Sequence, residues 1–235
     1  AVRRHPRHCR GVDLEILHHA ADREMPDAAL AGARRLELAR VRLDRGDRAA
    51  ERVRDFLMAE VTKLATDYKD TKGLLLFLLG NENNYGLFWD GAETENIPVP
   101  ERVSTKRAVA MYKLFNDAAI AMKKIDNSHP VAFCNGDLMY LDIINQECQA
   151  FDIFATNVYR GQTFGDLFER VKKEYGKPVL FAEFGADAFN ALTNQEDQSS
   201  QAYYVLSQWK EIYQNAAGLG KSQNAIGGFT FQFSD

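Results

Sequence analysis

Two glutamates occupy matching places in two similar stretches. Glu82 follows the apolar run Leu74-Leu75-Leu76-Phe77-Leu78-Leu79 in Gly80-Asn81-Glu82-Asn83-Asn84-Tyr85. Glu183 follows Pro178-Val179-Leu180-Phe181-Ala182 and precedes Phe184-Gly185. A short apolar run bounded by glycine suits a strand buried on both faces of a parallel sheet. Polar residues just past the C-terminal ends of such strands lie where parallel α/β folds place their chemistry. Two carboxyl groups facing each other across such a rim suit acetal hydrolysis: one protonates the leaving oxygen while the other stabilises or attacks the oxocarbenium ion. Taken singly, each glutamate reads equally as a solvated loop residue or the partner of a nearby cation. The repeated design separates the two readings.

The rest of the chain supplies the elements that must hold this pair. Val53, Leu57, Val61, Leu64 and Tyr68 recur at helical spacing, predicting a helix that ends near Lys72-Gly73, before a strand over 74–79. After a long loop, Ser104 reads as the N-cap of a second helix whose apolar face carries Ala108, Met111, Phe115, Ala118, Met122 and Ile125. His129-Pro130 opens a strand over 131–134, which ends at Asn135-Gly136-Asp137; a short helix over 138–148 and a strand over 151–159 follow. Thr163-x-x-Asp166 resembles a capping box and starts a helix with Phe164, Leu167, Phe168, Val171 and Tyr175 on one face. A strand over 178–182 and a polar loop come next. A helix over 199–217 carries Val205, Leu206, Trp209, Ile212 and Tyr213, and a last strand runs over 225–233. Alternating strands and helices define an α/β fold with a parallel sheet and right-handed crossovers.

Composition narrows the classes of function. The chain of 235 residues suits one large domain with a sizeable core. A net charge of −4 gives no reason to expect nucleic acid or an anionic membrane as partner. No apolar run approaches the roughly 18–20 residues needed to span a bilayer. With no such run the chain reads as soluble, and because the sequence shows no initiator methionine and no signal peptide its compartment stays open. Cys9, Cys134 and Cys148 lack metal-ligand spacing, and Cys134, after Val131-Ala132-Phe133, reads as a buried thiol. His5-x-x-His8-Cys9 and His18-His19 have no matched second ligand pair, so no metal is expected. Residues 1–54 hold 13 arginines, no lysine and no aromatic residue, whereas all 26 aromatics lie downstream. This break divides the chain into an Arg/Ala-rich head, 1–52, and a body, 53–235. Two readings of the head stay open: an out-of-frame stretch, or a replacement for the first three strands of the fold.

Gly80-Asn81-Glu82-Asn83, Asn157-x-Tyr159 on the intervening strand, and Phe181-Ala182-Glu183-Phe184-Gly185 together resemble clan A of the retaining β-glycosidases. The resemblance is nearer to the TIM-barrel domain of glycoside hydrolase family 2, and it spans about 53–235. It implies a TIM (β/α)8 barrel whose fourth to eighth strands lie in the body, incomplete or irregular in its N-terminal third. It assigns Glu82 as general acid/base and Glu183 as nucleophile in a double displacement that needs no metal or organic cofactor. Asn81 would bind the sugar 2-hydroxyl, and Tyr159 would orient Glu183, with Asn157 beside them. Tyr85 and Trp89 are candidate sugar platforms. Asn135 and Asp137 could bind hydroxyls, although Asn135 equally suits turn chemistry. Arg160 and Asp187 lie next to these motifs. Phe233 stands where relatives often place a tryptophan that floors the sugar. The implied partner is a carbohydrate; β-galactosides, β-glucuronides, β-mannosides and β-glucans stay equally open. A transglycosylase using the same carboxylates, or an inactive carbohydrate-binding or scaffold barrel, is the alternative.

Overall fold

Strand pairing, more than apolar content, sets where the sheet begins. The structure is a computed structural model that describes residues 47–87 and 103–232. Cys9, the N-terminal histidines, Trp89 and Phe233 lie outside the described residues, as does the head up to residue 46. Strand β1 (Phe77–Leu79) is three residues long, shorter than the run over 74–79 predicts. It pairs in parallel with β2 (Val131–Gly136), Phe77 opposite Val131. Pro130 has no N–H to extend the ladder, and its carbonyl accepts the Phe77 amide at 2.9 Å. Leu75, below that limit, is exposed.

Strands β3 (Ile153–Val158), β4 (Val179–Phe184) and β7 (Ala225–Thr230) complete a sheet ordered β1-β2-β3-β4-β7. Every neighbouring pair is parallel. Helix α1 (Asp47–Tyr68) precedes β1, and helices α2 (Val103–Ile125), α3 (Leu141–Glu147), α4 (Leu167–Glu174) and α5 (Gln198–Gln214) supply the four crossovers. A short antiparallel pair, β5 (Phe189–Asn190) and β6 (Gln195–Glu196), lies in the segment read from sequence as a polar loop.

Each strand divides its side chains between two layers, as period 2 requires. Phe77, Leu79, Val131, Phe133, Phe154, Val158, Val179 and Phe181 belong to the core shared with the helices. Leu76, Leu78, Ala132, Cys134, Ile153, Ala155, Leu180 and Ala182 form a second, smaller-residue layer on the other face. The helix-side layer is held by aromatic packing: Phe133 meets Phe151 at 4.8 Å between centroids, and Phe164 stacks on Phe181 at 4.2 Å. Each such buried phenylalanine contributes roughly 1.5–3 kcal/mol by its burial.

Local readings of two helices change. Helix α2 starts at Val103, so Ser104 falls inside it instead of capping it. Asp166 is the N-cap of α4 without a side-chain capping bond. Thr163 Oγ1 accepts from the Gly165 amide and donates to Glu211, so this segment forms a turn docked on α5 and no capping box. On α5, Leu206, Trp209 and Tyr213 are exposed, and the buried positions are Gln208 and Ile212. The inward stripe carries amides because it meets loop carbonyls: Gln201 donates to Ala186, and Gln208 to Gly161 and Gly185.

Candidate active site

Gly80 adopts φ 70°, and Glu82, without glycine's freedom, adopts φ 51°. A side chain at Gly80 would run into Asn83 Oδ1, 2.1 Å from its Cβ position, so the turn out of β1 needs glycine. The left-handed backbone at Glu82 costs about 1–2 kcal/mol and is held by two bonds. Its amide donates to Cys134 O at 3.1 Å, and its carbonyl accepts the Tyr85 amide at 3.1 Å. The result is a glutamate fastened to the C-terminal end of β2.

Buried Asn84 clamps the same loop. Its Nδ2 donates to Gly136 O at 2.9 Å and its Oδ1 accepts the Gly136 amide at 2.7 Å, so one amide side chain replaces a missing strand residue. Tyr85 then lies over Gly136, where a Cβ would come within 2.3 Å of its ring. Nothing in the sequence singles out Asn84 from its neighbours Asn81 and Asn83.

Glu183 reaches the same rim by a break in alternation. Phe181 and Phe184 both pack in the helix-side core although they are three residues apart. The register slips between them: Thr156 pairs with Phe181, but Asn157 pairs with Glu183. This bulge turns Glu183 onto the face shared with Ala182, an effect for which bulges near functional sites are known. Ala182 and Glu183 line one cleft with Leu78, Gly80, Asn81, Cys134 and Asn157. The Tyr159 hydroxyl donates to Glu183 Oε2 at 2.8 Å. Burial raises the Tyr159 pKa, and this bond and the charge of Glu183 raise it further. Tyr159 therefore stays a donor.

Burial raises the Glu82 pKa, and the charge of Glu183 raises it further; a hydrogen bond from Asn157 opposes both. The two carboxyl groups, 101 positions apart in the chain, thus feel each other across the rim. Tyr85 lies in the same field. Its pKa is raised by burial and by Glu82 and Asp137, against the effect of Arg160.

Other sequence candidates are placed differently. Asn135 points to the helix layer: its Oδ1 accepts from the Tyr112 hydroxyl at 2.7 Å, and its Nδ2 donates to the carbonyls of Asp137 and Met139 at 2.8 and 3.1 Å. It is 2% exposed, so its role is turn chemistry and it leaves the set of sugar-binding candidates. Asn157 is likewise 2% exposed, and its Nδ2 donates to Asn81 Oδ1 at 2.9 Å. Its contacts are with site residues, not with open space. Asp137 receives a two-pronged bond from Arg160, at 2.8 and 2.5 Å, which joins the rims of β2 and β3. Past β7, Phe231 is half exposed, and its amide donates to Phe184 O at 2.8 Å. Gln208, missed from sequence, ties the Tyr159 loop to the Glu183 loop through Gly161 and Gly185 at 2.6 and 3.1 Å. A glutamine on the buried stripe of an amphipathic helix is the signal that could have found it.

Among the described residues, no group of three His, Cys, Asp or Glu side chains is placed to hold a metal ion. Nor, among them, is any helix long and apolar enough to cross a membrane.

No protein-family model and no curated protein matches the chain. Solved structures do. A β-glucuronidase of Bacteroides uniformis superposes with a TM-score of 0.57 at 13% identity, over 77% of this chain and 21% of its own. A β-glucuronidase of Ruminococcus gnavus, in complex with a C6-substituted uronic isofagomine, gives 0.52 at 17% identity, over 79% of this chain and 30% of its own. A family 2 β-galacturonidase of Eisenbergiella tayi, bound to galacturonate, gives 0.51 at 13% identity, over 77% and 30%. This chain thus spans less than a third of the length of each. At these identities the likeness establishes the fold: α/β, as in TIM-barrel glycosidases, with five parallel strands among the described residues.

Proposed function

We propose that the chain carries the catalytic rim of a retaining β-glycoside hydrolase. One observation supports this above the others: Glu82 and Glu183 leave the same end of one parallel sheet, close enough for the charge of one to raise the pKa of the other. Glu82, whose hold on its proton is strengthened by burial and by the charge of Glu183, gives that proton to the glycosidic oxygen. Glu183, held by Tyr159, attacks the anomeric carbon as the bond to that oxygen breaks, forming a glycosyl ester. Esterification removes the Glu183 charge and with it one of the causes that raise the Glu82 pKa. Glu82 then takes a proton from water, and the resulting hydroxide displaces Glu183 from the sugar. Asn81 Oδ1 already accepts from Asn157, which leaves the Asn81 nitrogen to donate to the sugar 2-hydroxyl.

Aryl β-glycosides of graded leaving-group ability test this assignment when kcat/KM, which reports formation of the glycosyl ester alone, is the rate compared. The sugars tried include glucuronides and galacturonides, because the solved structures of like fold are named for them. Glu82→Ala should lose most rate on poor leaving groups and little on dinitrophenolate, whereas Glu183→Ala should lose rate on all. A Glu82→Ala loss that is the same for every leaving group would remove Glu82 as the acid.

A further inference from the structure

Beneath the two carboxyl groups, Cys134, Asn157 and Asn81 form a relay of hydrogen bonds from three neighbouring strand ends. Cys134 Sγ donates to Asn157 Oδ1 at 3.0 Å, with Asn81 Oδ1 farther off at 3.5 Å. Asn157 Nδ2 donates to Asn81 Oδ1 at 2.9 Å, and the same side chain stands near enough to Glu82 to pull its pKa down as a donor. Both Cys134 and Asn157 are almost wholly buried, so water does not compete for these bonds.

An amide nitrogen carries two protons and its oxygen only lone pairs. Turning the Asn157 amide over would set its oxygen against Asn81 Oδ1, two acceptors with no proton between them, and would withdraw the NH2 group from Glu82. The same turn would bring the thiol proton against an NH2 group. The thiol therefore selects one of the two orientations.

The position suits cysteine for a physical reason. Cys134 lies in the small-residue layer with Ala132, Ala155 and Ala182. A thiol is a small hydrophobe that fits such a layer while still offering one weak donor. Valine would fill the space and donate nothing.

We propose that Cys134 is a positioning residue: it orients the Asn157 amide so that its nitrogen serves Asn81 and Glu82. The proposal deepens the hydrolase reading and rests on its assignment of Glu82 as acid/base. In this arrangement Asn157 limits how far the acidity of Glu82 is suppressed. The titratable groups that act on Glu82 are Glu183 from β4, Tyr159 from the end of β3 and Tyr85 from its own loop, while Cys134 of β2 holds the Glu82 amide through its carbonyl. Loss of the oriented amide leaves burial and the Glu183 charge unopposed, so Glu82 holds its proton to higher pH.

The test reads the carboxyl group directly and needs no turnover. In the full chain with side-chain carboxyls labelled with carbon-13, the Glu82 resonance is assigned by its loss in Glu82→Gln and followed through pH. Cys134→Val and Asn157→Leu should move the Glu82 midpoint upward, while Cys134→Ser, which keeps a donor, should titrate with the parent. Cys134→Ala removes the same donor in a smaller side chain and serves if valine does not fit. A Glu82 midpoint unchanged in the donor-less variants, or moved as far by serine as by alanine or valine, overturns the proposal. If the midpoints move as expected while no glycoside is ever turned over, the positioning role stands and the hydrolase reading falls.

Discussion

The Tyr159 hydroxyl and Glu183 Oε2, 2.8 Å apart, join adjacent strands at the point where a bulge has turned the glutamate inward. The bulge aims the carboxylate, and the tyrosine holds it there. Tyr159 is 50% exposed, so little of the core depends on it.

Tyr159→Phe should therefore lower kcat/KM about ten- to a hundredfold, the worth of a hydrogen bond to a charged group. Thermal unfolding should change little. Steady-state kinetics beside a melting curve check both, and a variant that melts much earlier at unchanged kcat/KM would make Tyr159 a structural residue.

Glu82 stores strain and a buried charge that the fold itself does not need. Its folded pKa lies above the ordinary 4.5, so the folded state binds more protons than the unfolded state. By linkage, stability is fullest below 4.5 and falls as pH rises through the folded value. Glu82→Gln should remove that loss. Urea unfolding of both proteins should diverge as pH rises from 4 to 8, with the variant the more stable.

Asn84→Ala strips two bonds from the Gly136 backbone in a site closed to water. Unpartnered buried groups of this kind cost about 1–3 kcal/mol each, so a loss of about 2–4 kcal/mol is expected in chemical denaturation. Because the same residue holds the Glu82 loop, kcat should fall with it.

The opposite end of the sheet has its own acid-sensitive cluster. Burial pushes the Asp126 carboxyl up, but hydrogen bonds from Ser128 and His129 outweigh it and pull the pKa from 3.8 to about 2. The stabilisation is complete above 3.8 and lost as pH falls toward 2. It amounts to roughly 2 kcal/mol for a side chain buried this fully. Parent stability should drop between pH 4 and 2 by about that much more than Asp126→Asn.

Apolar periodicity predicted the parallel sheet and strand-end position singled out Glu82 and Glu183, whereas Tyr159 came from the family resemblance alone. Long-range pairing decided what lay beyond them. The 74–79 run looks like six strand residues until Pro130 ends its ladder. Glu183 points inward only because the register slips beside Ala182, which no local pattern records. The buried amides Asn84, Asn157 and Gln208 resemble any loop or helix amide until their partner carbonyls are brought to them. On α5 Leu206, Trp209 and Tyr213 are exposed while Gln208 is buried, because the rim the helix covers is made of polar loops.

The most direct measurement is covalent trapping with 2-fluoro β-glycosides bearing an activated leaving group, followed by peptide mass spectrometry. The fluorine slows both formation and hydrolysis of the glycosyl ester, and the activated leaving group restores only its formation, so the ester accumulates. A sugar of the panel bound covalently at Glu183, absent in Glu183→Gln, is the predicted result. Turnover of the parent glycoside with the label on another residue, or undiminished in Glu183→Gln, would contradict the account.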